Sequence, residues 1–310
     1  MASLSLQCAA RTDVGRVRSN NEDAVFASPR LAAVADGVGG AAAGEVASRA
    51  VIDALVHLDK CWLRDPLETA LADAVADGNE RVGFIAACRP SMAGMSTTLT
   101  AVALGDEGYV IANVGDSRTY LLRDRELTLL TRDDSFVQLM LDSGELTLSQ
   151  ALAHPRRSLV LEALDGHPGR RPTVTTLEAR LGDRLLLCSD GLTDFVDERA
   201  IAAALREPAP AGCAERLVEL ALAALQSTAR VPGLDDDVVG GLAEVDDHEL
   251  DDVGPEAMRR ALLPRDLLGA TGHLRVAGPA RGVGRTAVQR EARVAQQVEG
   301  LDRAPHAPEP

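Results

Sequence analysis

Aromatic residues are scarce in this sequence, and so are lysine and paired cysteines. Aromatics make up 2% of the 310 residues, and the last of them is Phe195. A hydrophobic core must therefore be built from Ala, Val and Leu, and we expect it to end well before the C-terminus. The five cysteines are widely spaced and include no Cys-x-x-Cys pair, which disfavours a disulfide framework and a zinc knot.

Basic residues are outnumbered by acidic ones. The chain has 32 Lys plus Arg against 47 Asp plus Glu, a formal net charge of -15, and Lys60 is its only lysine. This balance excludes a generic nucleic-acid-binding surface, which needs a basic patch, and Lys/Arg clusters for anionic membranes are not apparent. No segment reaches the roughly 20 apolar residues of a membrane span, and the N-terminus lacks a basic n-region. We expect a cytoplasmic protein with no nucleic-acid or membrane partner.

The order of predicted elements indicates an α+β fold. Apolar residues recur at helical spacing over residues 44 to 60 and after Pro66, and two more helices are predicted near 198 to 206 and 213 to 227. Between these helix pairs lie β-rich runs. TTLTAVALG, YVIANVG, RTYLLRD and ELTLL predict an antiparallel meander, and TVTTLEA and RLLLCSD follow later. The polar stretch from about Asp142 to Gly169 is a candidate flap, because it is too long for a hairpin loop.

The composition changes near residue 246. Residues 246–310 are rich in Arg, Ala, Gly and Pro and contain no aromatic residue. Such a segment has too little apolar surface for a core. We therefore predict one folded domain over residues 1–245 and a tail over 246–310 that is mostly disordered.

Acidic residues recur where apolar strands end: Glu22, Asp23, Asp36, Asp116, Asp190 and Asp236. Each alone is readily explained as a solvated turn former. Together, without a His or Cys ligand pattern, they suit hard cations such as Mg²⁺ or Mn²⁺. Two such ions about 3.5 to 4 Å apart hold a bridging water, lower its pKa and direct it at a phosphorus or carbonyl centre.

Two further residues near these acids suit the same chemistry. Gly37 follows Asp36, and without a Cβ its carbonyl can approach an ion closely. Arg18 lies four residues before Glu22. Its planar fork can clamp a phosphate, which a lysine does not imitate, or form a surface salt bridge.

Seven segments, in chain order, resemble the motifs of the bacterial type 2C (PPM) metal-dependent Ser/Thr protein phosphatases. They are RTDVGRVRSNNED (11–23), VADGVGG (34–40), GMSTTLTA (94–101), NVGDSRTYLLRD (113–124), LTRDDSFVQ (130–138), HPRRSLVLEALDG (154–166) and LLLCSDGLTD (185–194). The match spans about residues 5 to 245. It implies an α+β sandwich of two antiparallel β-sheets flanked by helix pairs, with a two-metal site in the cleft at one edge.

The resemblance also implies roles for individual residues. Arg18, which grips the phosphate, and Asp36, the bridging carboxylate, are the catalytic pair, and Gly37 offers its carbonyl. The metal ligands are Glu22, Asp23, Asp36, Gly37, Asp116, Asp190 and Asp236. Asp116 with Asp190 resembles a third metal position of bacterial members, for which Ser158 and Asp194 are weaker candidates.

The implied enzyme is a protein-serine/threonine phosphatase with two Mn²⁺ or Mg²⁺ ions. A metal-bridging hydroxide attacks phosphoserine or phosphothreonine on proteins, with no phosphoenzyme, and the partners are proteins phosphorylated by a bacterial Ser/Thr protein kinase. Val38 stands where animal relatives carry a histidine thought to act as general acid, so leaving-group protonation falls to water.

The final strand departs from the family pattern. Gly240 and Gly241 are adjacent there, at a cost of about 0.5–1 kcal/mol each in a strand interior, which predicts a weak or irregular strand. Asp235 and Asp237 remain alternatives to Asp236 as the ligand.

Two other functions stay open. A catalytically inactive phosphoprotein-binding module of the same fold is favoured only by the altered strand, whereas every expected carboxylate is retained. A phosphatase acting on phosphoserine of an anti-sigma-factor antagonist is the other alternative. The arginine before Asn-Glu-Asp and the long flap favour the general protein phosphatase.

Overall fold

The computed structural model describes residues 4–15, 20–38, 43–61, 66–227 and 238–246, and for residues 60, 61, 227 and 238–246 it describes the backbone alone. The strands in chain order are β1 Ser5–Asp13, β2 Ala24–Ala27, β3 Leu31–Ala35, β4 Gly37–Val38, β5 Ser96–Thr97, β6 Leu99–Gly105, β7 Gly108–Val114, β8 Arg118–Arg123, β9 Glu126–Leu129, β10 Thr173–Leu177, β11 Arg184–Cys188 and β12 Val238–Asp246. The helices are α1 Gly44–Cys61, α2 Leu67–Cys88, α3 Phe136–Asp142, α4 Leu148–Leu152, α5 Asp190–Thr193, α6 Glu198–Ala204 and α7 Pro210–Ser227.

The strands form two five-stranded antiparallel sheets. The first sheet has the order β1-β12-β11-β8-β9, the second has the order β10-β7-β6-β3-β2, and β4 pairs with β5 in a short ribbon. Helices α1 and α2 cover the outer face of the second sheet, and α6 and α7 cover that of the first. The predicted α+β sandwich with flanking helix pairs is confirmed. Among the described residues, no helix is both long and apolar enough to cross a membrane.

Strand alternation explains why the central strands are apolar throughout. In β3, Leu31 and Ala33 pack towards the helices, whereas Ala32 and Val34 pack towards the first sheet. In β11, Leu186 joins the helix-side core of its own sheet. Successive side chains of a strand point to opposite faces, so a strand covered on both faces needs an apolar residue at every position.

The predicted meander is divided between the two sheets. The β6–β7 hairpin belongs to the second sheet and the β8–β9 hairpin to the first. The chain crosses from one sheet to the other over residues 115–117, at a glycine with φ of 94°. A positive φ is accessible to glycine at little cost, so the Gly-Asp dipeptide makes this crossing and not a hairpin turn.

The prediction of an irregular final strand is wrong. β12 pairs with β1 from Val238 to Asp246, and Gly240 and Gly241 also pair with β11 on the other side. A central strand has both rows of backbone groups bonded, and this offsets the conformational cost of the two glycines. The predicted tail lies outside the described residues beyond Asp246.

Candidate active site

Strand register brings the predicted acids to one end of the sandwich. In the second sheet, Ala24 pairs with Ala35, so Asp23, which precedes β2, lies beside Asp36, which follows β3. Glu22 is held close to them, because its carbonyl accepts hydrogen bonds from the Gly37 N–H at 3.2 Å and from the Ser48 hydroxyl at 2.6 Å.

The first sheet contributes its acids at the same end. Cys188 pairs with Arg118, so the start of β8 lies beside the end of β11. Asp116 lies two residues before that start, and Asp190 lies two residues after that end. The structure thus brings together acids whose sequence positions span more than half of the chain.

Asp36 lies at the centre of this group. Burial raises the pKa of Asp36 well above its usual range, and the carboxylates of Asp23, Asp190 and Asp116 raise it further. Burial also raises the pKa of Asp116, with Asp190 and Asp133 as the next contributors. Like charges close together in a poorly solvated site disfavour the ionised form. Four carboxylates that raise one another's pKa in this way therefore favour bound cations.

The peptide of Asp36 is held by two threonines. The Thr98 N–H and the Thr97 hydroxyl both donate to the Asp36 carbonyl, at 2.8 and 2.7 Å. The Asp36 N–H in turn donates to the Thr98 hydroxyl at 3.2 Å. Both threonines are fully buried, so the backbone at Asp36 has little freedom to turn.

Gly37 sits where no side chain fits. A Cβ added to Gly37 would lie 2.4 Å from the carbonyl carbon of Gly44 and 2.7 Å from the carbonyl oxygen of Glu22. A Cβ added to Gly44 would lie 3.0 Å from the Glu22 carboxylate oxygen Oε2. The start of α1 therefore packs against Gly37 through backbone alone, beside the Glu22 carboxylate.

Polar contacts also fix the loop that carries Asp116. The Gly115 N–H donates to the Asp134 carboxylate at 3.0 Å, and the Asp134 N–H donates back to the Gly115 carbonyl at 2.9 Å. Arg118 grips Asp133 with two nitrogens, Nε at 3.0 Å from Oδ1 and Nη2 at 2.6 Å from Oδ2. In this bidentate pair the positive charge of Arg118 compensates the negative charge of Asp133, close to Asp116.

The two weaker candidates for a third metal position differ in their contacts. Ser158 is exposed in a turn, whereas the Asp194 carboxylate accepts a hydrogen bond from Arg157 Nη2 at 3.0 Å. The Asp194 N–H also donates to the Asp190 carbonyl at 2.8 Å. Through its ion pair with Arg157, Asp194 thus joins the flap to the end of α5, the short helix that begins at Asp190.

Two of the predicted site residues, Arg18 and Asp236, lie outside the described residues, as do Asp235 and Asp237. Within the described part of the chain, no group of three or more His, Cys, Asp and Glu side chains is already arranged to hold a metal ion. The metal ligands are therefore assigned as a proposal below.

Sequence reasoning missed the residues that hold the acids in place. Thr97, Thr98 and Ser117 lie within segments that carry the family resemblance, but small hydroxyl residues beside strands have no distinctive pattern. Asn79, in the middle of α2, was not singled out either. It is 2% exposed, and a buried amide within an apolar helix face is the one sequence signal that marks it.

Comparison with known proteins identifies the family. Residues 16–225 match the family model described as Protein phosphatase 2C. This match covers more than half of the chain, so the chain belongs to the protein phosphatase 2C family. The resemblance drawn from the seven sequence segments is confirmed.

Several relatives are similar over most of the described region. Serine/threonine protein phosphatase PstP of Mycobacterium tuberculosis is 51% identical over 220 residues, which are 71% of this chain and 43% of that protein. Serine/threonine phosphatase stp of Listeria monocytogenes is 40% identical over 198 residues, which are 61% of this chain and 78% of that protein. The matched region thus spans less than half the length of the Mycobacterium relative.

A solved relative has the same fold. The crystal structure of the catalytic domain of PstP in complex with two manganese ions has a TM-score of 0.71 and 46% sequence identity. The alignment covers 78% of this chain and 99% of that one. The sandwich described above is therefore the fold of a phosphatase catalytic domain.

Proposed function

We propose that this chain is a metal-dependent protein-serine/threonine phosphatase, which hydrolyses phosphoserine and phosphothreonine on proteins. Membership of the protein phosphatase 2C family and the names of the relatives support this activity. The observation that carries the proposal is the buried Asp36 carboxylate with Asp23, Asp116 and Asp190 around it.

The residues present fit divalent cations. The charged groups that raise the pKa of Asp36 are the carboxylates of Asp23, Asp190 and Asp116, and their donors are oxygens, which Mg²⁺ and Mn²⁺ prefer. A carboxylate buried in such a cluster is costly unless cations compensate it. The manganese ions in the PstP structure support the same assignment.

The proposed ligands are Glu22, Asp23, Asp36, the carbonyl of Gly37, Asp116, Asp190 and Asp236. Acids of both sheets raise the pKa of Asp36, so its carboxylate would be the one that two ions share. A third position would use Asp116 and Asp190, and the weaker candidates for it are Ser158 in the flap and Asp194 directly after α5. Asp194 would have to exchange its bond to Arg157 for an ion. When bound, such ions polarise phosphoryl oxygens and lower the pKa of water.

The chain's own side chains bind and orient the substrate. Arg18 is proposed to hold two phosphoryl oxygens through its guanidinium fork. Thr97 and Thr98 keep the Asp36 peptide in one orientation, so little reorganisation accompanies the reaction. Val38 is apolar and cannot donate a proton, so the proton for the leaving serine or threonine oxygen comes from water.

The partners follow from the reaction. We propose that the substrates are proteins phosphorylated by a bacterial Ser/Thr protein kinase and that the enzyme acts in signalling in the cytoplasm. The names of the relatives support phosphoprotein substrates. The four cysteines with described side chains are free thiols, Cys8, Cys88, Cys188 and Cys213, which agrees with a reducing compartment.

The inactive binding module finds no support. It depended on the altered final strand, and β12 pairs with β1 along its whole length. A phosphatase specific for an anti-sigma-factor antagonist is not supported by the relatives, which are named serine/threonine phosphatases.

Turnover of a phosphothreonine peptide tests the proposal. We expect the wild type to release phosphate in Mn²⁺, to stop in excess chelator and to resume when Mn²⁺ is restored. Asp36→Asn keeps the shape of the side chain and should lose nearly all turnover. Asp53→Asn, at an exposed ion pair with Arg49, is the matched control and should keep it. A folded wild type without metal-dependent turnover would contradict the proposal.

A further inference from the structure

A buried hydroxyl pair joins the two sheets beside the acids. The Thr98 and Ser117 hydroxyl oxygens are 2.7 Å apart, and both residues are fully buried. Thr98 directly precedes β6 of the second sheet, and Ser117 directly precedes β8 of the first. The pair therefore links the sheet that carries Asp36 to the sheet that carries Asp190.

Each member of the pair is attached to an acid. Thr98 bonds the peptide of Asp36 on both sides, accepting from its N–H at 3.2 Å and donating its own N–H to the carbonyl at 2.8 Å. Ser117 is the residue directly after Asp116. The route from Asp36 to Asp116 thus runs through the hydrogen bonds between Asp36 and Thr98, the hydrogen bond between the Thr98 and Ser117 hydroxyls, and the peptide bond between Ser117 and Asp116.

The Thr98 side chain also has no room to move. A Cβ on Gly115 would lie 2.7 Å from Thr98 Cγ2, so the backbone of the Asp116 loop packs directly on the threonine methyl group. Gly115 itself has a φ of 94°, where a Cβ would be strained. The threonine is therefore fixed by its hydroxyl on one side and by its methyl group on the other.

We propose that the Thr98–Ser117 hydroxyl pair is a positioning device, which sets the separation of Asp36 and Asp116 and hence the geometry of the metal centre. The inference rests on the proposed phosphatase function. Groups that bond to metal ligands, and not to the metal itself, orient those ligands and typically contribute about 10- to 100-fold to metal affinity or activity. A hydroxyl pair that only stabilised the sandwich would contribute to folding and leave the metal centre unchanged.

A second hydroxyl pair supplies the matched control. Thr100 and Thr119 lie two residues further along β6 and β8, and their hydroxyl oxygens are also 2.7 Å apart. Both residues are fully buried as well. This pair joins the same two strands but is not bonded to Asp36 and does not adjoin Asp116. Removing it should weaken the sandwich without changing the metal centre.

The test compares Thr98→Val, Thr98→Ser and Thr100→Val in the full chain. The measurements are the Mn²⁺ dissociation constant by calorimetry, kcat and KM for a phosphothreonine peptide, and Tm without metal. We expect Thr98→Val to weaken Mn²⁺ binding and lower kcat by about 10- to 100-fold, with KM changed far less. Thr98→Ser restores the hydroxyl and should recover both. Thr100→Val should lower Tm and leave the dissociation constant and kcat near those of the wild type.

Several outcomes would overturn the inference. One is a folded Thr98→Val variant with wild-type Mn²⁺ affinity and kcat, and another is equal losses in Thr98→Val and Thr100→Val. If Thr98→Val does not fold, Ser117→Ala removes the other hydroxyl and should show the same loss of Mn²⁺ affinity, and unchanged affinity there contradicts the inference. Failure of the proposed function is distinguishable, because the wild type itself would then lack metal-dependent turnover.

Discussion

Gly37 and Gly44 touch through their backbones, so closely that a Cβ on Gly37 would lie 2.4 Å from the carbonyl carbon of Gly44. This contact places the start of α1 against the residue that follows Asp36. It also brings the Glu22 carboxylate next to Gly44. The metal centre is therefore shaped by backbone packing as well as by carboxylates.

Gly37→Ala should disable the site. Its methyl group meets backbone atoms on two sides, which cannot move aside as a side chain can, so α1 or the Asp36 loop must shift. A shift of about 1 Å at a reacting centre costs on the order of 100-fold in rate. We expect kcat for a phosphothreonine peptide to fall by that order and the Mn²⁺ affinity to fall with it.

The control for this substitution is Gly212→Ala. Gly212 lies in α7, and the nearest atom to an added Cβ is Glu207 Cγ at 3.4 Å, an ordinary contact. Alanine is a better helix former than glycine by about 0.8–1.0 kcal/mol, so Tm should stay or rise and turnover should be unchanged. Equal turnover in Gly37→Ala and Gly212→Ala would contradict the packing argument.

Asn79 anchors the end of the flap to α2. Its Oδ1 accepts from the Gly166 N–H at 2.8 Å, and its Nδ2 donates to the His167 carbonyl at 2.9 Å. Close by, Leu164 exchanges backbone hydrogen bonds with Thr97, at 3.1 and 2.8 Å, and Thr97 in turn bonds the Asp36 carbonyl.

Asn79→Ala leaves the two flap backbone groups without their partner in a buried place, at a cost of about 2 kcal/mol. In a domain of this size that corresponds to a drop in Tm of about 4–8 °C. Thermal unfolding followed by circular dichroism measures it. The neighbouring Glu80→Ala, at an exposed position of the same helix, should leave Tm nearly unchanged. Equal Tm values for the two variants would contradict the anchoring role of Asn79.

Asp183 links the two sheets at the end of the sandwich opposite the acids. It is 1% exposed and accepts hydrogen bonds from Arg123 Nε and Nη2 at 2.7 Å each and from the Tyr109 hydroxyl at 3.0 Å. Burial alone would raise the pKa of Asp183, but the hydrogen bonds of Arg123, the Arg180 N–H and Tyr109 outweigh it, so the pKa is lowered.

This lowered pKa predicts how stability depends on pH. A carboxyl group with a lower pKa in the folded state stabilises the fold above its unfolded pKa of about 3.9, and the stabilisation is lost as the pH falls through the folded value. Asp183→Asn should lower the free energy of unfolding by about 3 kcal/mol at pH 7, since it breaks a buried ion pair. Below pH 4, the difference in the free energy of unfolding between this variant and the wild type, measured by urea unfolding, should shrink.

Two comparisons complete the Asp183 experiment. Asp142→Asn removes an exposed carboxylate that pairs with Arg132 and should change stability little, because exposed ion pairs contribute little. Asp183→Asn should also keep wild-type turnover per folded molecule, since β11 separates Asp183 from Asp190. A constant stability difference at all pH values would remove the ion pair as its cause.

The sheet and helix layers and the acidic site residues could be predicted from the sequence, because both follow local patterns. Continuous apolar runs such as Leu31–Ala35 predict strands buried on both faces, and the acids stand at strand ends. The crossing of the chain from one sheet to the other at Gly115 could not be predicted, because a Gly-Asp turn within one sheet and a crossing between sheets look alike in sequence. Thr98 and Asn79 were missed because their partners are distant, 19 residues away for Ser117 and 87 for Gly166.

Asp36→Asn should stabilise the metal-free protein while it removes activity. In chelator the buried Asp36 carboxylate faces the carboxylates of Asp23, Asp190 and Asp116, and the neutral amide removes that repulsion. Tm at pH 8 should rise by a few degrees, because 1 kcal/mol corresponds to about 2–4 °C in a domain of this size. Added Mn²⁺ should raise Tm of the wild type and have much less effect on the variant. A lower metal-free Tm in Asp36→Asn would contradict the repulsion argument.

Anomalous scattering from crystals of this chain grown with Mn²⁺ tests most directly whether Asp36 holds two ions. We expect two strong manganese peaks that share the Asp36 carboxylate, at the end of the sandwich where β3 and β11 end. Manganese bound elsewhere, or no manganese next to Asp36 in crystals of a protein that hydrolyses the phosphopeptide, would contradict it.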